Sequence, residues 1–233
     1  MPEKRPSLSS EDLFKSTTPY YAKYRLPYPS ELFERLKSSF GLNASKRVLD
    51  LGCGTGQLSI PLSSSVKEVV AIDTSAEMIE EGRKQAQLAA RTNIAWREMA
   101  AETISPELRS FHLALFGGSF HWMDRALVLE RCYEILEPGG GIAIISGGSS
   151  IWRGKQAWEK TAVKVIQKWL GQARRAGGGT FPTDFPRHEE LVARSQFRNM
   201  ITGEIKRSHV WTLEAFIGLL YSTSFANKAL LGE

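Results

Sequence analysis

Cysteine is scarce in this chain of 233 residues, which contains only Cys53 and Cys132. One of the two lies in a glycine-rich loop and the other on an apolar helix face. So few cysteines, so placed, argue against both a disulfide framework and a zinc site. We therefore expect two free thiols and no bound metal.

Long apolar segments are also missing. No segment approaches the roughly 20 apolar residues that a helix needs to span a bilayer. The N-terminus contains Lys and Glu and lacks the apolar stretch of a signal peptide. We therefore expect a cytoplasmic protein without a membrane partner. A hydrophobic content of 42% is enough for a substantial core, so we predict a single domain over residues 1–233.

Acidic side chains are few in the last third of the chain. Residues 151–233 contain 13 Lys and Arg against 7 Asp and Glu, whereas residues 1–150 contain 17 and 18. A positive region attracts an anionic acceptor or nucleic acid, although a solvated helical face explains the lysines equally well. No basic run is interleaved with aromatic residues, and no Asn-Pro-Pro-Tyr-like segment occurs. We therefore expect a small molecule as the partner, and we slightly favour an anionic one. Nucleic acid is an unfavoured alternative. The oligomeric state is not predicted.

The most informative segment is RVLDLGCGTGQLSI, in which an apolar strand runs into Asp50 and three spaced glycines. Glycine has no Cβ, so Gly52, Gly54 and Gly56 allow a ligand to lie directly on the main chain. An ordinary tight turn between a strand and a helix is the simpler explanation. The coincidence of strand, acid and three glycines favours a nucleotide-cofactor loop over it.

The ligand of this loop is predicted from its charge. A carboxylate at the mouth of the loop opposes a pyrophosphate and favours a cation. The dinucleotide fingerprint also requires glycine at position 57, where this chain has Gln57. We therefore predict S-adenosylmethionine, whose ammonium and sulfonium groups Asp50 would attract, and keep NAD as the second choice.

A second apolar strand, residues 68–73, stops at Asp73, which lies 21 positions after Gly52. In a parallel sheet Asp73 would lie beside the glycine loop and accept hydrogen bonds from both ribose hydroxyls. Asp73 can also simply start the following helix, because Thr74 and Glu77 form a capping box there. Both roles are compatible.

Short apolar strands alternate with helices through the first 150 residues, a pattern that predicts an α/β fold with a parallel sheet and right-handed crossovers. The predicted strands cover residues 47–51, 68–73, 93–97, 113–116 and 141–146. One helix is predicted over residues 29–40, and others begin near residues 57, 74 and 124, the last ending at Pro138 and Gly139. Ligands bind beyond the carboxyl ends of such strands, where Gly52, Asp73 and Ser119 would converge.

The pattern changes after residue 150. We expect a tryptophan-containing helix over residues 152–170, a flexible glycine hinge at 177–179, a PTDFP turn, a sixth strand over 199–211 and a helix over 212–222. The domain is thus divided into a helical cap (1–45), a cofactor-binding core (46–150), a lid or acceptor-binding insertion (151–198) and a C-terminal segment (199–233). The sequence stops at Glu233 without the last strand of such folds, so either the gene product is short or this is a fragment.

These residues resemble the class I S-adenosylmethionine-dependent methyltransferases, specifically the small-molecule branch with a type 11 methyltransferase domain. The resemblance rests on VLDLGCGTG at 48–56, VVAIDTSAEMIE at 69–80, SFHWMD at 119–124 and LEPGGG at 136–141, all in family order. The segment YYAKYRLPYP at 20–29 is also similar. The resemblance covers roughly residues 15–225, loosely after Ser150, and it implies a Rossmann-like sheet flanked by helices.

The resemblance also implies where the cofactor lies. Asp50 and the loop glycines would surround its methionine moiety, and Asp73 would lie at its ribose. Met78 would line the adenine site, with Ala101 and Glu102 at the polar edge of the adenine. The full set of cofactor residues that we predict is Tyr21, Arg25, Asp50, Gly52, Cys53, Gly54, Gly56, Asp73, Thr74, Met78, Ala101, Glu102, Gly118 and Ser119. Two positions depart from the family pattern, because Ala100 and His112 stand where an aspartate is common.

His121 is the candidate for proton chemistry, since it follows the fourth strand and its pKa class suits proton removal near neutrality. The alternative is that His121 only packs beside Trp122. Tyr20, Phe120 and Trp122 are candidates for contact with the acceptor, because aromatic faces attract a positively charged methyl group. Arg25 would clamp the cofactor carboxylate or an acidic acceptor, and Tyr21 would pack beside it. A surface arginine is the equal alternative.

We therefore predict an enzyme that moves a methyl group from S-adenosylmethionine to a small-molecule acceptor by in-line displacement and releases S-adenosylhomocysteine. A catalytically silent S-adenosylmethionine-binding protein, an NAD-dependent oxidoreductase and an RNA methyltransferase are the alternatives. The sequence does not distinguish methylation at oxygen, nitrogen or carbon.

Overall fold

The computed structural model describes residue 14 and residues 16–108, 110–146, 151–177, 179–181 and 186–232. Most of the predicted PTDFP turn lies outside these residues. Contacts divide the chain into two compact units, of which the smaller comprises Met1–Leu26, Gly147–Asp184 and Val210–Glu233, and the larger comprises Pro27–Ser146 and Phe185–His209. The predicted subdivision at residues 45, 150 and 198 stays a prediction.

The larger unit is built on a five-stranded sheet in which all neighbouring strands are parallel. Its strands are β1 (Arg47–Leu51), β2 (Glu68–Asp73), β3 (Ile94–Glu98), β4 (Phe111–Gly117) and β5 (Leu136–Ile145), in the order β3-β2-β1-β4-β5. β1 and β2 have the predicted bounds, and β3 and β4 differ from prediction by at most two residues at either end. The predicted Rossmann-like parallel sheet is confirmed.

The described helices are α1 (Thr18–Tyr24), α2 (Ser30–Phe40), α3 (Ser59–Ser63), α4 (Ala76–Leu88), α5 (Arg125–Ile135), α6 (Ala157–Leu170), α7 (His188–Arg194), α8 (Leu213–Tyr221) and α9 (Lys228–Leu231). The starts of α3, α4 and α5 lie within two residues of prediction. None of these described helices is both long enough and apolar enough to cross a membrane.

Both faces of the sheet are buried, as expected of a parallel sheet covered by helices. Successive side chains of a strand point to opposite faces, so Leu49 of β1 belongs to one apolar cluster and Val48 to another. The first cluster includes Val128 and Cys132 of α5, and the second includes Leu36 of α2. The sheet is thus held between two layers of helix.

The predicted end of α5 was wrong. The sequence predicts that this helix reaches Pro138 and Gly139, but it ends at Ile135 and β5 follows at once. The pairing of β4 with β5 is irregular between Phe111 and Leu113, so residues 137–140 depart from the ladder. Gly139 has a φ of +83° there, a conformation that L side chains rarely adopt. The glycines therefore permit an irregular strand where sequence reasoning placed the end of a helix.

The predicted sixth strand was also wrong, because residues 199–211 have no regular secondary structure. Ile201 and Val210 in this segment are solvent-exposed, at 92% and 91%, and Ile205 is only partly buried. A strand is stabilised when one set of alternating side chains is buried. These side chains are not buried, so a strand here would lack that stabilisation.

The smaller unit contains α1, α6, α8, α9 and a two-stranded antiparallel hairpin, β6 (Arg175–Ala176) and β7 (Gly179–Thr180). Helix α8 forms as predicted, and Thr212 caps it by accepting a hydrogen bond from the Ala215 amide at 3.1 Å. The predicted hinge lies at the turn of the hairpin. Gly177, with a φ of +54°, lies in this turn, and Gly178 is outside the described residues.

Candidate cofactor site

The loop after β1 is positioned by hydrogen bonds to β2. The amides of Gly52 and Cys53 both donate to the carbonyl oxygen of Ile72, at 2.8 and 3.0 Å. Leu51 pairs with Ile72 in the parallel register, so the loop begins at the carboxyl ends of two neighbouring strands. Ligands of open parallel sheets bind at this edge.

The three loop glycines have left-handed backbone angles, with φ of +69° at Gly52, +53° at Gly54 and +83° at Gly56. Packing adds a second requirement at two of them. A Cβ on Gly52 would lie 2.4 Å from the Cβ of Ser119, and a Cβ on Gly56 would lie 2.6 Å from Cη2 of Trp96. The protein itself therefore requires glycine at these two positions, before any ligand is considered.

Asp73 lies beside the loop, as predicted. Its Oδ2 accepts a hydrogen bond from the Gly54 amide at 2.8 Å, and its Oδ1 accepts one from the Ser75 amide at 3.0 Å. Burial raises the pKa of Asp73, and the backbone hydrogen bonds oppose that rise. The predicted capping box was wrong, because Ser75 rather than Thr74 caps α4, its Oγ accepting from the Met78 amide at 3.3 Å.

Asp50 does not lie at the mouth of the loop, which corrects the prediction. Its position within β1, paired with Ala71 and Leu115 on the neighbouring strands, leaves it 1% exposed. Oδ2 accepts a hydrogen bond from Oγ of Ser59 at 2.6 Å, while Oδ1 is buried without a hydrogen-bond partner in the described part of the chain. Burial raises the pKa of Asp50 to about 7; Ser59 opposes the rise and the charge of Asp73 adds to it.

The residues after β4 reach the same edge of the sheet. Oγ of Ser119 donates to the carbonyl oxygen of Leu51 at 2.5 Å, and the amide of Gly118 donates to that of Ile145 at 2.8 Å. Gly118 has a φ of +69°, and a Cβ built on it would meet nothing within 4 Å. The predicted convergence of Gly52, Asp73 and Ser119 is therefore present, with open space at Gly118.

The aromatic segment after Ser119 forms one 3₁₀ turn over Phe120–Trp122. Phe120 is 1% exposed, and its ring centre lies 4.8 Å from that of Phe116, so it is a core residue. This burial argues against the predicted contact of Phe120 with an acceptor. His121 and Trp122 are partly exposed, and their ring centres are 4.5 Å apart. The alternative expectation, that His121 packs beside Trp122, is confirmed, and its role in proton chemistry stays a prediction.

The residues predicted at the adenine are Met78, Ala101 and Glu102. Met78 is 3% exposed and Ala101 is 5% exposed. Oε1 of Glu102 accepts a hydrogen bond from the amide of Asp124, the N-cap of α5, at 2.8 Å. Glu102 therefore has a structural role at a helix start in addition to any role toward adenine.

Tyr20, Tyr21 and Arg25 belong to the smaller unit. Nη2 of Arg25 donates to the carbonyl oxygen of Ser222 at 3.0 Å, and the guanidinium lies 4.8 Å from the ring centre of Tyr21. The ring centre of Tyr20 lies 5.2 Å from that of Tyr221. The expected packing of Tyr21 with Arg25 is confirmed, while the contact of these side chains with a cofactor or acceptor stays a prediction.

Sequence reasoning missed two residues that shape the loop, Ser59 and Trp96. Ser59 bonds the buried carboxyl group of Asp50. Trp96 packs against two glycines at once. A Cβ on Gly82 would lie 2.5 Å from Cζ3 of Trp96, and a Cβ on Gly56 would lie 2.6 Å from its Cη2. Gly82 in the middle of a helix was the available signal, because such a glycine usually has a packing reason.

The two cysteines are free thiols and both are buried. Burial raises the pKa of Cys132 to about 12 and that of Cys53 well above its usual range. Within the ranges that the structure describes, no three His, Cys, Asp or Glu side chains are grouped to hold a metal ion.

Comparison with known proteins identifies relatives of this chain. Residues 48–140 match the model of a family described as a methyltransferase domain. An uncharacterised methyltransferase of Mycobacterium tuberculosis is 32% identical over 212 residues, which cover 91% of this chain and 76% of the relative. An uncharacterised methyltransferase of Schizosaccharomyces pombe is 32% identical over 159 residues, or 68% of this chain, and the chain spans 60% of that relative's length. Aklanonic acid methyltransferase of a Streptomyces species is 39% identical over 105 residues, covering 43% of this chain and 48% of the relative.

The residues present fit a ligand with a nucleoside and a positive charge. The space at Gly118 leaves main chain open, and Oδ1 of Asp50 is a buried carboxylate oxygen without a partner among the described residues. A cation nearby would favour the ionised form of this carboxyl group. The chain belongs to the class I S-adenosylmethionine-dependent methyltransferases, with S-adenosylmethionine as its cofactor.

Proposed function

We propose that this methyltransferase transfers the methyl group of S-adenosylmethionine to a small-molecule acceptor and releases S-adenosylhomocysteine. Two relatives carry names that refer to small molecules, aklanonic acid methyltransferase and a ubiquinone biosynthesis O-methyltransferase that is 37% identical over 95 residues. Both matches cover less than half of this chain, so they support the acceptor class without defining the acceptor. The type 11 subdivision is likewise a proposal.

The observation that carries the donor half is the bond between the Gly54 amide and Oδ2 of Asp73, which fixes a carboxylate against the glycine loop. Each carboxylate oxygen can accept more than one hydrogen bond. Asp73 therefore has capacity left for ribose hydroxyls. In this proposal the main chain at residues 52–56, Gly118 and Ser119 forms the floor for the methionine moiety and ribose, and Met78 and Ala101 pack against adenine.

The protein's part in the reaction is mainly placement. The cofactor supplies a methyl group that its sulfonium already activates. Holding reactants in near-attack geometry supplies about 7–11 kcal/mol of the barrier in favourable cases. His121, partly exposed after β4, would accept the proton that the acceptor loses. Trp122 and Tyr20 would offer aromatic faces to the positive charge.

The donor half is tested by calorimetric titration of S-adenosylhomocysteine into the wild type and an Asp73→Asn variant. We expect binding to weaken by roughly tenfold or more in the variant, because a charged acceptor of hydrogen bonds is lost. Glu98→Gln is the matched control, because it also removes one negative charge. Glu98 is exposed and lies opposite Asp73 in the strand register, at the end of β3. Equal affinity in all three proteins would contradict the assignment of Asp73.

The clamp proposed for Arg25 is tested in the same way. Calorimetry of Arg25→Ala should show weaker binding of the cofactor or of an acidic acceptor. Lys23→Ala is the matched control, because Lys23 is an exposed cation in the last turn of the short helix that Arg25 follows. Unaltered affinity for both ligands leaves the clamp without support.

The acceptor half is tested by incubating the protein with methyl-labelled S-adenosylmethionine and a metabolite pool, followed by mass spectrometry. Label in a small molecule supports the proposal. Binding of S-adenosylhomocysteine without label in any product supports the catalytically silent alternative. Label in added RNA and in no small molecule would replace the proposal by the RNA alternative.

A further inference from the structure

A tyrosine that sequence reasoning did not assign to the site lies at the carboxyl end of β4. Tyr28 belongs to the larger unit, as the glycine loop does, and its ring packs against the apolar cluster that contains Val48. A Cβ on Gly117 would lie 3.0 Å from the Tyr28 hydroxyl oxygen and 2.6 Å from Cδ1 of Leu58. Gly117 ends β4, and Gly118 with its open space follows. The partly exposed Tyr28 therefore brings a hydroxyl group to the edge of the sheet where ligands bind.

The Tyr28 hydroxyl and the Asp50 carboxyl group lie on the same face of the sheet. Asp50 pairs with Leu115 of β4, so Gly117 lies two residues further towards the carboxyl end of that strand. Side chains two positions apart on a strand share a face. Val48 and Leu115 belong to the same apolar cluster, so Asp50 and a Cβ at Gly117 face the side of that cluster. An acid and a hydroxyl donor thus lie beside neighbouring strands at one end of the sheet.

The main chain around Tyr28 is restricted. Pro27 precedes it and Pro29 follows it, and a residue before a proline is confined to extended conformations. Pro29 is the N-cap of α2, and the carbonyl oxygen of Pro27 accepts a hydrogen bond from Nη1 of Arg207 at 2.5 Å. Arg207 and α2 both belong to the larger unit. The hydroxyl is thus positioned before a ligand arrives, which lowers the entropic cost of binding.

The methionine end of S-adenosylmethionine carries an ammonium group and a carboxylate on one carbon. Asp50 and Asp73 are acids, which attract the ammonium group and repel the carboxylate. The Ser119 hydroxyl donates to the carbonyl oxygen of Leu51 at 2.5 Å, so its proton is already used. A hydrogen-bond donor for the carboxylate is therefore needed beside the acids.

A phenol hydroxyl meets this requirement. It donates one hydrogen bond and, unlike Lys or Arg, brings no positive charge to compete with the ammonium group for Asp50. Hydrogen bonds to an ionised acceptor are roughly twice as strong as those to a neutral one, so a carboxylate competes well for the hydroxyl proton.

We infer that the Tyr28 hydroxyl donates a hydrogen bond to the methionine carboxylate of S-adenosylmethionine, while Asp50 attracts the ammonium group on the same carbon. This inference rests on the proposed function and adds to its donor half a residue that recognises the amino-acid end of the cofactor. It assigns the carboxylate to the larger unit, whereas Arg25 belongs to the smaller one.

The test compares two ligands that differ only at the carboxylate. S-adenosylhomocysteine and its decarboxylated analogue, in which hydrogen replaces the carboxylate, are each titrated by calorimetry into the full chain. The variant is Tyr28→Phe, which removes the hydroxyl and keeps the ring in its apolar cluster. Tyr133→Phe is the matched control, because Tyr133 is a 50% exposed tyrosine on α5 of the same unit. The ratio of the two affinities is measured within each protein, so a change in the folded fraction cancels.

We expect wild type and Tyr133→Phe to bind S-adenosylhomocysteine more tightly than the analogue. Tyr28→Phe should weaken the binding of S-adenosylhomocysteine by roughly tenfold or more and leave that of the analogue unchanged, because a hydrogen bond to a charged group is lost. In the methyl-transfer assay the KM for S-adenosylmethionine should rise and kcat should change little, since the contact is present before and during the transfer. A Tyr28→Phe effect that is equal for the two ligands, or absent for both, would overturn the inference.

The same two ligands separate this inference from the clamp proposed for Arg25 and from the proposed function. If Arg25→Ala removes the preference for S-adenosylhomocysteine over the analogue and Tyr28→Phe does not, Arg25 binds the carboxylate and the inference about Tyr28 is wrong. If Tyr28→Phe has no effect while Asp73→Asn still weakens S-adenosylhomocysteine binding, the inference fails and the donor half of the proposed function stands. If the wild type binds neither ligand, the donor half itself fails, and the inference fails with it.

Discussion

Replacing Asp50 by Asn is expected to stabilise the protein without ligand at alkaline pH. The carboxyl group is 1% exposed, and its pKa is raised from 3.8 to about 7, chiefly by burial. Because the folded pKa lies above the unfolded one, the stability linked to this group is complete below about pH 4. It is lost as the pH rises through about 7. The two pKa values differ by about three pH units, which corresponds to about 4 kcal/mol at most.

Asn keeps the shape of the side chain and an oxygen that can accept from Ser59, but it carries no charge. The free energy of unfolding, measured with urea, should therefore be larger for Asp50→Asn than for wild type at high pH. The difference between the two proteins should increase as the pH rises. Between about pH 5 and pH 8 that advantage should grow by about 3 kcal/mol. Glu98→Gln, at an exposed position, is the control and should show no such growth. An Asp50→Asn effect that is the same at both pH values would refute the reasoning.

The same variant should bind the cofactor less well. A positive charge close to Asp50 favours its ionised form, so affinity for S-adenosylmethionine should rise as the pH passes through about 7 in the wild type. S-adenosylhomocysteine has no sulfonium, and its affinity should change less. Asp50→Asn should lose both the pH dependence and the preference for the charged ligand. Equal losses of affinity for the two ligands in calorimetry would show that Asp50 does not recognise the charge.

Three other outcomes are expected. His121→Ala should lower kcat by about a hundredfold with S-adenosylhomocysteine affinity unchanged, and undiminished single-turnover rates would remove His121 from the mechanism. Gly56→Ala should lower the melting temperature, because its φ is +83° and the new Cβ would meet Trp96. Adding Trp96→Leu should recover part of that loss, and the steric argument fails if nothing is recovered. Glu137→Gln should reduce stability more near pH 7 than near pH 3. The hydrogen bond from Lys46 lowers the pKa of Glu137 below 4.5, so its contribution is present above that value and is lost as the pH falls through the folded pKa.

The parts of the fold that were predicted correctly have strong local signals. β1 and β2 each contain a short apolar run that leads directly into an aspartate, and their bounds need no information from elsewhere in the chain. β5 lacks such a signal at its start, because its first residues include Pro138 and three glycines, which usually indicate a turn. The strand begins at Leu136 only because Leu136 pairs with Phe111 of β4, before the ladder resumes at Gly141. Residues 199–211 illustrate the opposite error, because a few apolar side chains there predict a strand with a buried face, whereas Ile201 and Val210 are exposed.

The sequence likewise predicts one part of the site correctly and another part wrongly. The approach of Gly52, Asp73 and Ser119 follows from strand order alone, since the carboxyl ends of neighbouring parallel strands meet at one edge. The burial of Asp50 does not follow from strand order alone. It depends on the central position of β1 in the sheet and on Ser59, nine residues further along the chain. A side chain at the end of a strand can face solvent or the interior, and the sequence around it does not decide which.

The glycine motif is therefore weaker evidence for a ligand than its spacing suggests. Gly52 is required by Ser119 and Gly56 by Trp96, so both glycines would be needed in a protein of this fold that bound nothing. The unusual feature is the carboxyl group next to the loop. A buried aspartate with an oxygen that lacks a hydrogen-bond partner among the described residues destabilises the fold at neutral pH, whereas Asn or Leu would not carry that charge. A cost of this kind is compensated when a positively charged ligand arrives, which is why Asp50 rather than the glycines indicates the charge of the ligand.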